Sequence, residues 1–163
     1  MGDSGLQWVE VGDSGERAHM FLGEFEHTID DKNRLTLPAR FRDALAAGAV
    51  LTRGLDACLD VYARSEWDRL VDARLAGLDP FSREARELKR FFFSGAADAQ
   101  LDKQGRVLVP PALLEHAKLG REVVVAGVHD HLEIWDRVAW NDNVTKVEGS
   151  ADDVAERLAE KRV

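Results

Sequence analysis

Asp30-Asp31-Lys32-Asn33-Arg34-Leu35-Thr36-Leu37-Pro38 is the stretch that decides the fold, because the chain contains its pattern twice. The second copy, 72 positions later (102 − 30 = 72), is Asp102-Lys103-Gln104-Gly105-Arg106-Val107-Leu108-Val109-Pro110. Similarity continues downstream at an offset of 73, from Gly54 and Gly127 to Trp67 and Trp140. Two copies of one supersecondary unit are too few for a solenoid, which needs about three repeats. The sequence therefore predicts two units packed face to face about a pseudo-twofold axis.

Each unit is predicted to run β-turn-β-α-β-β-α. Asn33 and Gly105 occupy equivalent turn positions, and both tolerate positive φ at low cost. We expect strands at 27–29, 35–37, 50–52, 59–62, 123–126 and 132–135, and helices at 39–47, at 112–119 and from near Ser65 and Asp136. Gly48 and Gly120 are expected to end helices, and Gly54 and Gly127 to lie in turns. A capping box is expected from Ser65 to Asp68. An extra helix is expected after Asp79-Pro80, with Phe81, Ala85, Leu88 and Phe92 at helical spacing.

The chain is expected to divide into five parts. Residues 1–19 are Gly-, Ser- and acid-rich and read as a disordered leader, with Met20 as a natural start. The first unit is assigned to 20–68, linking helices to 69–94, the second unit to 95–147 and a polar tail to 148–163.

Composition excludes several classes of protein. The 163 residues contain no apolar run near the roughly 18 needed to cross a bilayer, and no signal segment. Cys58 is the only cysteine, which excludes an internal disulfide and favours a reducing, cytoplasmic setting. A net charge of −8 argues against nonspecific coating of nucleic acid, so DNA binding would require a local basic patch.

The chain resembles the MraZ family over about residues 20–147. The resemblance rests on two Asp-x-x-x-Arg motifs that follow Met20-Phe21-Leu22-Gly23, each continued by an apolar-x-apolar-Pro strand. The one departure is Asn33, where the family usually has Gly. The resemblance implies an α+β, mainly β fold: a tandem AbrB-like (SpoVT-AbrB) swapped-hairpin double barrel with short flanking helices. It further implies a ring-like homo-oligomer in the cytoplasm, associated with the nucleoid, that represses its own division and cell-wall gene cluster by binding direct repeats in promoter double-stranded DNA.

The candidate DNA-binding residues are the cations around the two turns: Lys32, Arg34, Lys103 and Arg106, with Arg40 on the following helix. Arginine can grip a guanine edge with two hydrogen bonds, while lysine serves a phosphate as a point charge. Asp30 and Asp102 are assigned to orienting the arginines or capping turn N–H groups. The alternative is that these are solvated hairpin turns with surface ion pairs.

Two other classes of function remain as alternatives. A metal enzyme would use His129, Asp130, His131 and Glu133, but a plain hairpin turn is favoured because no third or fourth ligand is evident. Cys58 is expected to be a small buried residue at a strand start, and no metal, cofactor or small-molecule substrate is expected. An AbrB-fold antitoxin-like protein that acts through a protein partner is the second alternative.

Aromatic residues are interpreted as packing groups. Tyr62, Trp67, Trp135 and Trp140 recur between the copies, which fits core positions better than base-stacking platforms. Phe91-Phe92-Phe93 cannot lie on one helix face, so part of the run is expected at a domain or subunit contact or in a buried helix end.

Overall fold

The computed structural model describes residues 20–161, so the expected leader at 1–19 lies outside the described residues. The strands are β1 Phe21–Thr28, β2 Arg34–Thr36, β3 Ala49–Arg53, β4 Leu59–Ala63, β5 Ala97–Ala99, β6 Arg106–Leu108, β7 Glu122–His129 and β8 Leu132–Asp136. The α-helices are α1 Arg64–Leu70, α2 Arg83–Ser94, α3 Pro111–His116, α4 Arg137–Glu148 and α5 Ala151–Lys161. Within this range, no helix combines the length and apolar character needed to span a bilayer.

The two repeats interleave their strands. A six-stranded antiparallel sheet has the order β1-β7-β8-β4-β3-β5, and β2 pairs with β6 in a second, two-stranded sheet. The first repeat contributes β1 to β7 along the full length of β1, and β4 to β8. Each repeat thus supplies hydrogen-bond partners for the other. The expected α+β class with mainly antiparallel strands is confirmed.

The hydrophobic core lies between the two motifs and the large sheet. Leu35 and Leu37 of the first motif and Val107 and Val109 of the second are at most 1% exposed. They belong to one cluster with apolar residues of β1, β3, β4, β7 and β8. Burying such a side chain contributes about 1.5–3 kcal/mol, so the alternating apolar residues after each turn fix the ribbon on the core.

The helix predicted at 39–47 is wrong. Only a 3₁₀ turn forms at Ala39–Phe41, and the chain continues through turns to Gly48. Its backbone N–H groups, such as that of Leu45, donate to the carbonyl three residues earlier. A segment this short gains little from helix propagation, and burial of Phe41 and Leu45 is met equally well by tight turns.

The second predicted helix is confirmed as α3, but its end differs from the prediction. Lys118, with φ 53°, takes the left-handed conformation that was expected of Gly120. Gly120 instead donates its N–H to Asp136 at 3.3 Å. The helix therefore ends at His116, before the end at residue 119 that Gly120 predicts.

Gly127 does not lie in a turn, contrary to prediction. It is paired with Gly23 of β1 and Leu132 of β8, inside strand β7. A Cβ at this position would lie 2.4 Å from the backbone carbon of Phe21. The glycine is needed for the close approach of β1, and the turn follows at His129, whose φ is 87°.

Helix starts follow the sequence only in part. Asp136 caps α4 by accepting from the Ala139 N–H at 3.3 Å, so the predicted start near Asp136 is confirmed. The predicted capping box from Ser65 is absent, because α1 begins at Arg64 and Ser65 therefore lies inside the helix. The N-cap is Ala63, which has no side-chain acceptor.

The extra helix also starts later than predicted. The N-cap of α2 is Ser82, while Asp79 caps the turn ahead of it by accepting the Phe81 N–H at 2.9 Å. Phe81 was expected on the apolar face of this helix and is 90% exposed instead. It precedes the helix, and helical spacing does not apply to it.

Most of the recurring aromatic residues are core residues, as predicted. Tyr62, Trp67 and Trp135 are buried, and Trp140 is half-buried with its Nε1 donating to Glu24 at 3.0 Å. The Phe91–Phe93 run is spread around the end of α2. Phe91 meets His116 of the second repeat and Arg53 of the first, and Phe93 packs edge-on against Trp67.

Candidate nucleic-acid interface

The first turn is held by a single carboxylate. One oxygen of Asp30, Oδ1, accepts from the backbone N–H groups of Lys32 at 2.9 Å and Arg34 at 2.8 Å. The other, Oδ2, accepts from Nε of Arg34 at 2.8 Å. Asp30 therefore shapes the turn and aims the arginine at the same time, which is the role expected from the sequence.

The second turn repeats this arrangement. Asp102 accepts the backbone N–H groups of Gln104 and Arg106, both at 2.9 Å, and holds Nε of Arg106 at 2.7 Å. Equivalent atoms make equivalent bonds in the two repeats, although only the Asp and Arg of the turn are identical. The pattern Asp-x-x-x-Arg is thus a structural unit with its own hydrogen bonds.

Both turns contain the predicted left-handed residue. Asn33 has φ 61° and Gly105 has φ 75°. In the second turn a Cβ on Gly105 would lie 2.2 Å from Nε of Arg42, so a larger residue there would displace the Arg42 side chain. That guanidinium donates from Nε and Nη2 to the Leu37 carbonyl, at 3.1 and 3.0 Å. Arg42 therefore joins the first repeat to the turn of the second.

The two motifs form one antiparallel ribbon. Leu35 lies opposite Val107 at its centre, Arg34 opposite Leu108, and Thr36 opposite Arg106. Because side chains alternate along a strand, the buried Leu35 and Val107 define the core face of the ribbon. The outer face therefore carries Arg34, Thr36, Arg106 and Leu108.

The two arginines are close neighbours on that outer face. They occupy a diagonal position across the strand pair, for which the separation between residues is about 7–8 Å. Two cross-repeat bonds extend the ribbon: the Leu37 N–H donates to the Gly105 carbonyl at 3.0 Å, and the Val109 N–H to the Asn33 carbonyl at 2.8 Å. The spacing of the arginines is therefore fixed by backbone hydrogen bonds.

Each arginine is held from one side only. The ion pairs Arg34–Asp30 and Arg106–Asp102 both use Nε, and the arginine side chains are 32% and 24% exposed. Among residues 20–161, no further partner of either guanidinium is found. The Nη1 and Nη2 atoms of both arginines remain available to a ligand.

The aspartates remain ionised in this arrangement. Hydrogen bonds from the backbone N–H groups, first that of Arg34, hold the pKa of Asp30 below its usual value, and the Arg34 side chain adds to the effect. Asp102 has a lowered pKa for the same reasons, with Arg106 as the partner. Two fixed carboxylates thus face two fixed guanidinium groups at neutral pH.

Comparison with known proteins decides the family. A family model described as "MraZ protein, putative antitoxin-like" matches residues 20–91 and again residues 92–162.

The chain belongs to the MraZ family.

Curated relatives support the same conclusion over nearly their full length. The chain is 50% identical over 143 residues to the transcriptional regulator MraZ of Roseiflexus castenholzii, covering 88% of this chain and 99% of the relative. It is 49% identical over 140 residues to the protein of the same name from Heliobacterium modesticaldum, and 45% over 139 residues to that of Pediococcus pentosaceus, covering 85% of this chain and 96% of each relative.

The remaining candidate residues surround the ribbon of this MraZ chain. Lys32 and Lys103 are exposed at the tips of the two turns. Arg40 is exposed and lies over the rings of Phe25 and Phe41, at 5.7 and 5.8 Å from their centroids. Lys32 and Lys103 thus lie within the two motifs, and Arg40 follows the first.

Sequence reasoning missed three residues at this candidate interface. Thr36 and Leu108 share the outer face with the arginines, and Leu108 is 64% exposed. Strict alternation from the buried Leu35 and Val107 could have identified both residues. The third is Arg42, and nothing in its local sequence indicates that it packs on Gly105 of the other repeat.

Proposed function

We propose that this chain is a sequence-specific, DNA-binding transcriptional regulator that reads DNA with the outer face of the β2–β6 ribbon. One observation carries the proposal: Arg34 and Arg106 lie on the same exposed face, each held through Nε by an aspartate. This geometry pre-orders two long side chains and leaves their Nη atoms for a ligand. Pre-ordering lowers the conformational entropy lost on binding.

A two-stranded ribbon fits the major groove of B-DNA, where guanine presents O6 and N7 as paired acceptors. Arg34 and Arg106 would bind such guanines, while Lys32, Lys103 and Arg40 would contact phosphates on either side. Asp30, Asp102, Asn33 and Gly105 would act by shaping the turns, without touching DNA. Surface ion pairs alone do not account for two equivalent arginines on one face of the ribbon, whereas a DNA-binding surface does.

The charge balance of the two turns favours more than one copy of the ribbon per DNA site. Lys32, Arg34, Lys103 and Arg106 face Asp30, Asp31 and Asp102, which gives the two turns a net charge of +1 (4 − 3) in a chain of −8. So small a patch binds weakly alone. A ring-like homo-oligomer would present several ribbons to direct repeats in one promoter, and effective concentration would supply the affinity.

The finer parts of the proposal follow from the resemblance to the family. The regulated promoter would be that of the chain's own division and cell-wall gene cluster, with repression as the main effect, in the cytoplasm and at the nucleoid. Interleaved pairing of β1 with β7 and β4 with β8 supports the swapped-hairpin double barrel as the architecture. The units would lie at 20–68 and 95–147, joined by 69–94 and followed by a tail at 148–163.

The test is fluorescence anisotropy with DNA from upstream of the chain's own gene, across a salt series. We expect tight, salt-sensitive binding that prefers this DNA to a shuffled sequence. Arg34→Ala/Arg106→Ala should weaken binding at least about tenfold, since each bidentate guanine contact contributes about 1–3 kcal/mol of discrimination. Its residual binding should no longer distinguish the two sequences.

Arg74→Ala/Arg83→Ala is the matched control, because both arginines are exposed and lie outside the ribbon, and the charge change is the same. It should bind like wild type, and light scattering should give one oligomer size for all three proteins. Equal binding by the ribbon variant and the control would place the DNA surface elsewhere. No binding at low salt would exclude the DNA-binding proposal and favour the antitoxin-like alternative, in which the chain acts through a protein partner.

A further inference from the structure

A second cluster of polar side chains lies in the large sheet, away from the ribbon. Asp60 of β4 is directly opposite Glu133 of β8, and Cys58 and His131 lie two residues before them in sequence. The four residues form two pairs of equivalent positions in the internal repeat, since Cys58 corresponds to His131 and Asp60 to Glu133 (131 − 58 = 73; 133 − 60 = 73). Each repeat contributes one pair.

Donor atoms of three residues of the cluster lie close together, and His131 lies beside two of them. Those of Cys58, Asp60 and Glu133 all lie within 4.8 Å of one another. The Cys58 Sγ to Asp60 Oδ1 distance is 3.9 Å, and Nε2 of His131 is 3.6 Å from Asp60 Oδ1 and 4.0 Å from Glu133 Oε2. A tetrahedral zinc ion with one sulfur and three N/O ligands separates its donors by about 3.3–3.6 Å, from metal–ligand bonds of about 2.0–2.3 Å. The Cys58–Asp60, His131–Asp60 and His131–Glu133 distances exceed this separation by at most about 0.7 Å. The Cys58 and His131 side chains would also have to move toward each other to share one ion.

Neighbouring side chains already orient the donor atoms of His131 and Glu133 toward the cluster. Nδ1 of His131 is 2.7 Å from Oδ1 of Asp130, which leaves Nε2 to face the cluster, and the ring stacks on Tyr62 at 4.6 Å. Nε1 of Trp135 donates to Oε1 of Glu133 at 2.8 Å, which leaves Oε2 to face His131. A carboxylate behind a histidine is the usual outer shell of a zinc ligand.

The cluster brings two carboxylates together away from solvent. Asp60 is only 8% exposed, and the polar contacts of its Oδ1 with Cys58 and His131 are long. Asp60 and the half-buried Glu133 lie opposite each other on paired strands. A divalent cation would bind both carboxylates, with the Cys58 thiol proton released to solvent on binding.

We propose that Cys58, Asp60, His131 and Glu133 bind one divalent cation of the zinc class. The mixed S, N and O donors suit Zn²⁺ or Co²⁺ and are a poor match for Mg²⁺ or Ca²⁺, which prefer oxygen ligands alone. The sequence argued against a metal at His131 because further ligands were not evident, and strand pairing across the repeats supplies them. The ion would join β4 to β8, and so the first repeat to the second.

Co²⁺ titration of the tag-free full-length protein tests the site. We expect one Co²⁺ per chain, with the thiolate-to-cobalt absorption band and the visible bands of tetrahedral cobalt, and displacement of both by Zn²⁺. Zn²⁺ should also raise the thermal unfolding midpoint. Cys58→Ser should abolish the thiolate band, and Cys58→Ser and His131→Gln should each reduce the affinity at least tenfold.

His129→Gln is the matched control, since this exposed histidine is two residues from His131 and outside the cluster. It should retain both bands and the wild-type affinity. Absence of a thiolate band in the wild type, or equal Zn²⁺ stabilisation of the wild type, Cys58→Ser and His131→Gln, would overturn the proposal. Should Cys58→Ser fail to fold, loss of affinity in folded His131→Gln, with retention in His129→Gln, decides the question. DNA binding is not part of this readout, so failure of the regulator proposal leaves the test intact.

Discussion

At the scale of single residues, the aspartate of each motif fixes both the turn and the arginine that follows it. Asp30 and Asp102 each accept three hydrogen bonds from their own turn, two from backbone N–H groups and one from the arginine side chain. A carboxylate is the one side chain that can serve all three donors with two oxygens. The turn geometry and the arginine direction are therefore set by the same residue.

This arrangement predicts a pH-dependent contribution to stability. Because the folded-state pKa values of Asp30 and Asp102 are lowered from a usual value of about 3.9, their contribution is fully present above that value. It is lost as the pH falls through the lowered values. Asp30→Asn/Asp102→Asn should thus be less stable than wild type at neutral pH, and the gap should shrink steadily below about pH 4. Urea unfolding of both proteins across this range measures it.

Asp72→Asn/Asp142→Asn removes the same two charges at exposed positions elsewhere and serves as the control. Its unfolding midpoint should stay close to that of wild type at neutral pH, because neither substitution disturbs a turn. A gap between wild type and Asp30→Asn/Asp102→Asn that does not change with pH would show that the ionised carboxylates are not responsible.

At the scale of elements, the longest strand pair depends on a glycine. Gly127 faces Gly23 across β1 and β7, and three backbone atoms of Phe21 and Leu22 lie within 2.6 Å of where its Cβ would be. Backbone atoms in a paired strand cannot move aside as a flexible side chain can. The contact between the first and second repeats along β1 is therefore limited by the size of this one residue.

Gly127→Ala is expected to destabilise the fold by roughly 1–3 kcal/mol or more, as overpacking of a rigid contact does. Gly77→Ala is the control, since a Cβ there meets nothing within 4 Å, and its expected effect is neutral or slightly stabilising. Chemical denaturation of the two variants beside wild type checks both values. Equal stability of Gly127→Ala and wild type would mean that β1 is not held at this distance from β7 in solution.

At the scale of the whole molecule, the two repeats form one folding unit. β1, β2, β3 and β4 of the first repeat pair with β7, β6, β5 and β8 of the second. If the chain is divided, each half exposes four strand edges and the buried faces of Leu35 or Val107. Within residues 20–91 of the first repeat, only β3 and β4 are paired along named strands, so most of its strand pairing comes from the second repeat.

Fragments 20–91 and 92–163 should therefore not fold as separate monomers. Circular dichroism and size-exclusion chromatography are expected to show each fragment unfolded or self-associated, and an equimolar mixture should recover the strand signal at the size of the intact chain. A folded, monomeric fragment would contradict the interleaved strand order, because its edge strands would then need no partner from the other repeat.

The elements that could be predicted are those determined by nearby residues. The strand pairs before and after Gly54, the start of α4 at Asp136 and the positive φ of Asn33 all follow from turn chemistry and alternation within a few positions. The helix at 39–47 failed because short apolar spacing fits a chain of tight turns equally well. Boundaries decided by packing were missed, as in the extension of β7 past Gly127.

The sequence by itself determined that one unit occurs twice, that each copy carries an aspartate-held arginine, and that the motif strands present one apolar face. The first is visible as a repeat at a fixed offset, the second depends on contacts four residues apart, and the third on a period of two. Only the tertiary structure decided that the arginines share one face, that Arg42 crowds Gly105, and that Cys58, Asp60, His131 and Glu133 meet. Those contacts join residues of different repeats, and a repeat shows which residues are equivalent without showing which strands pair.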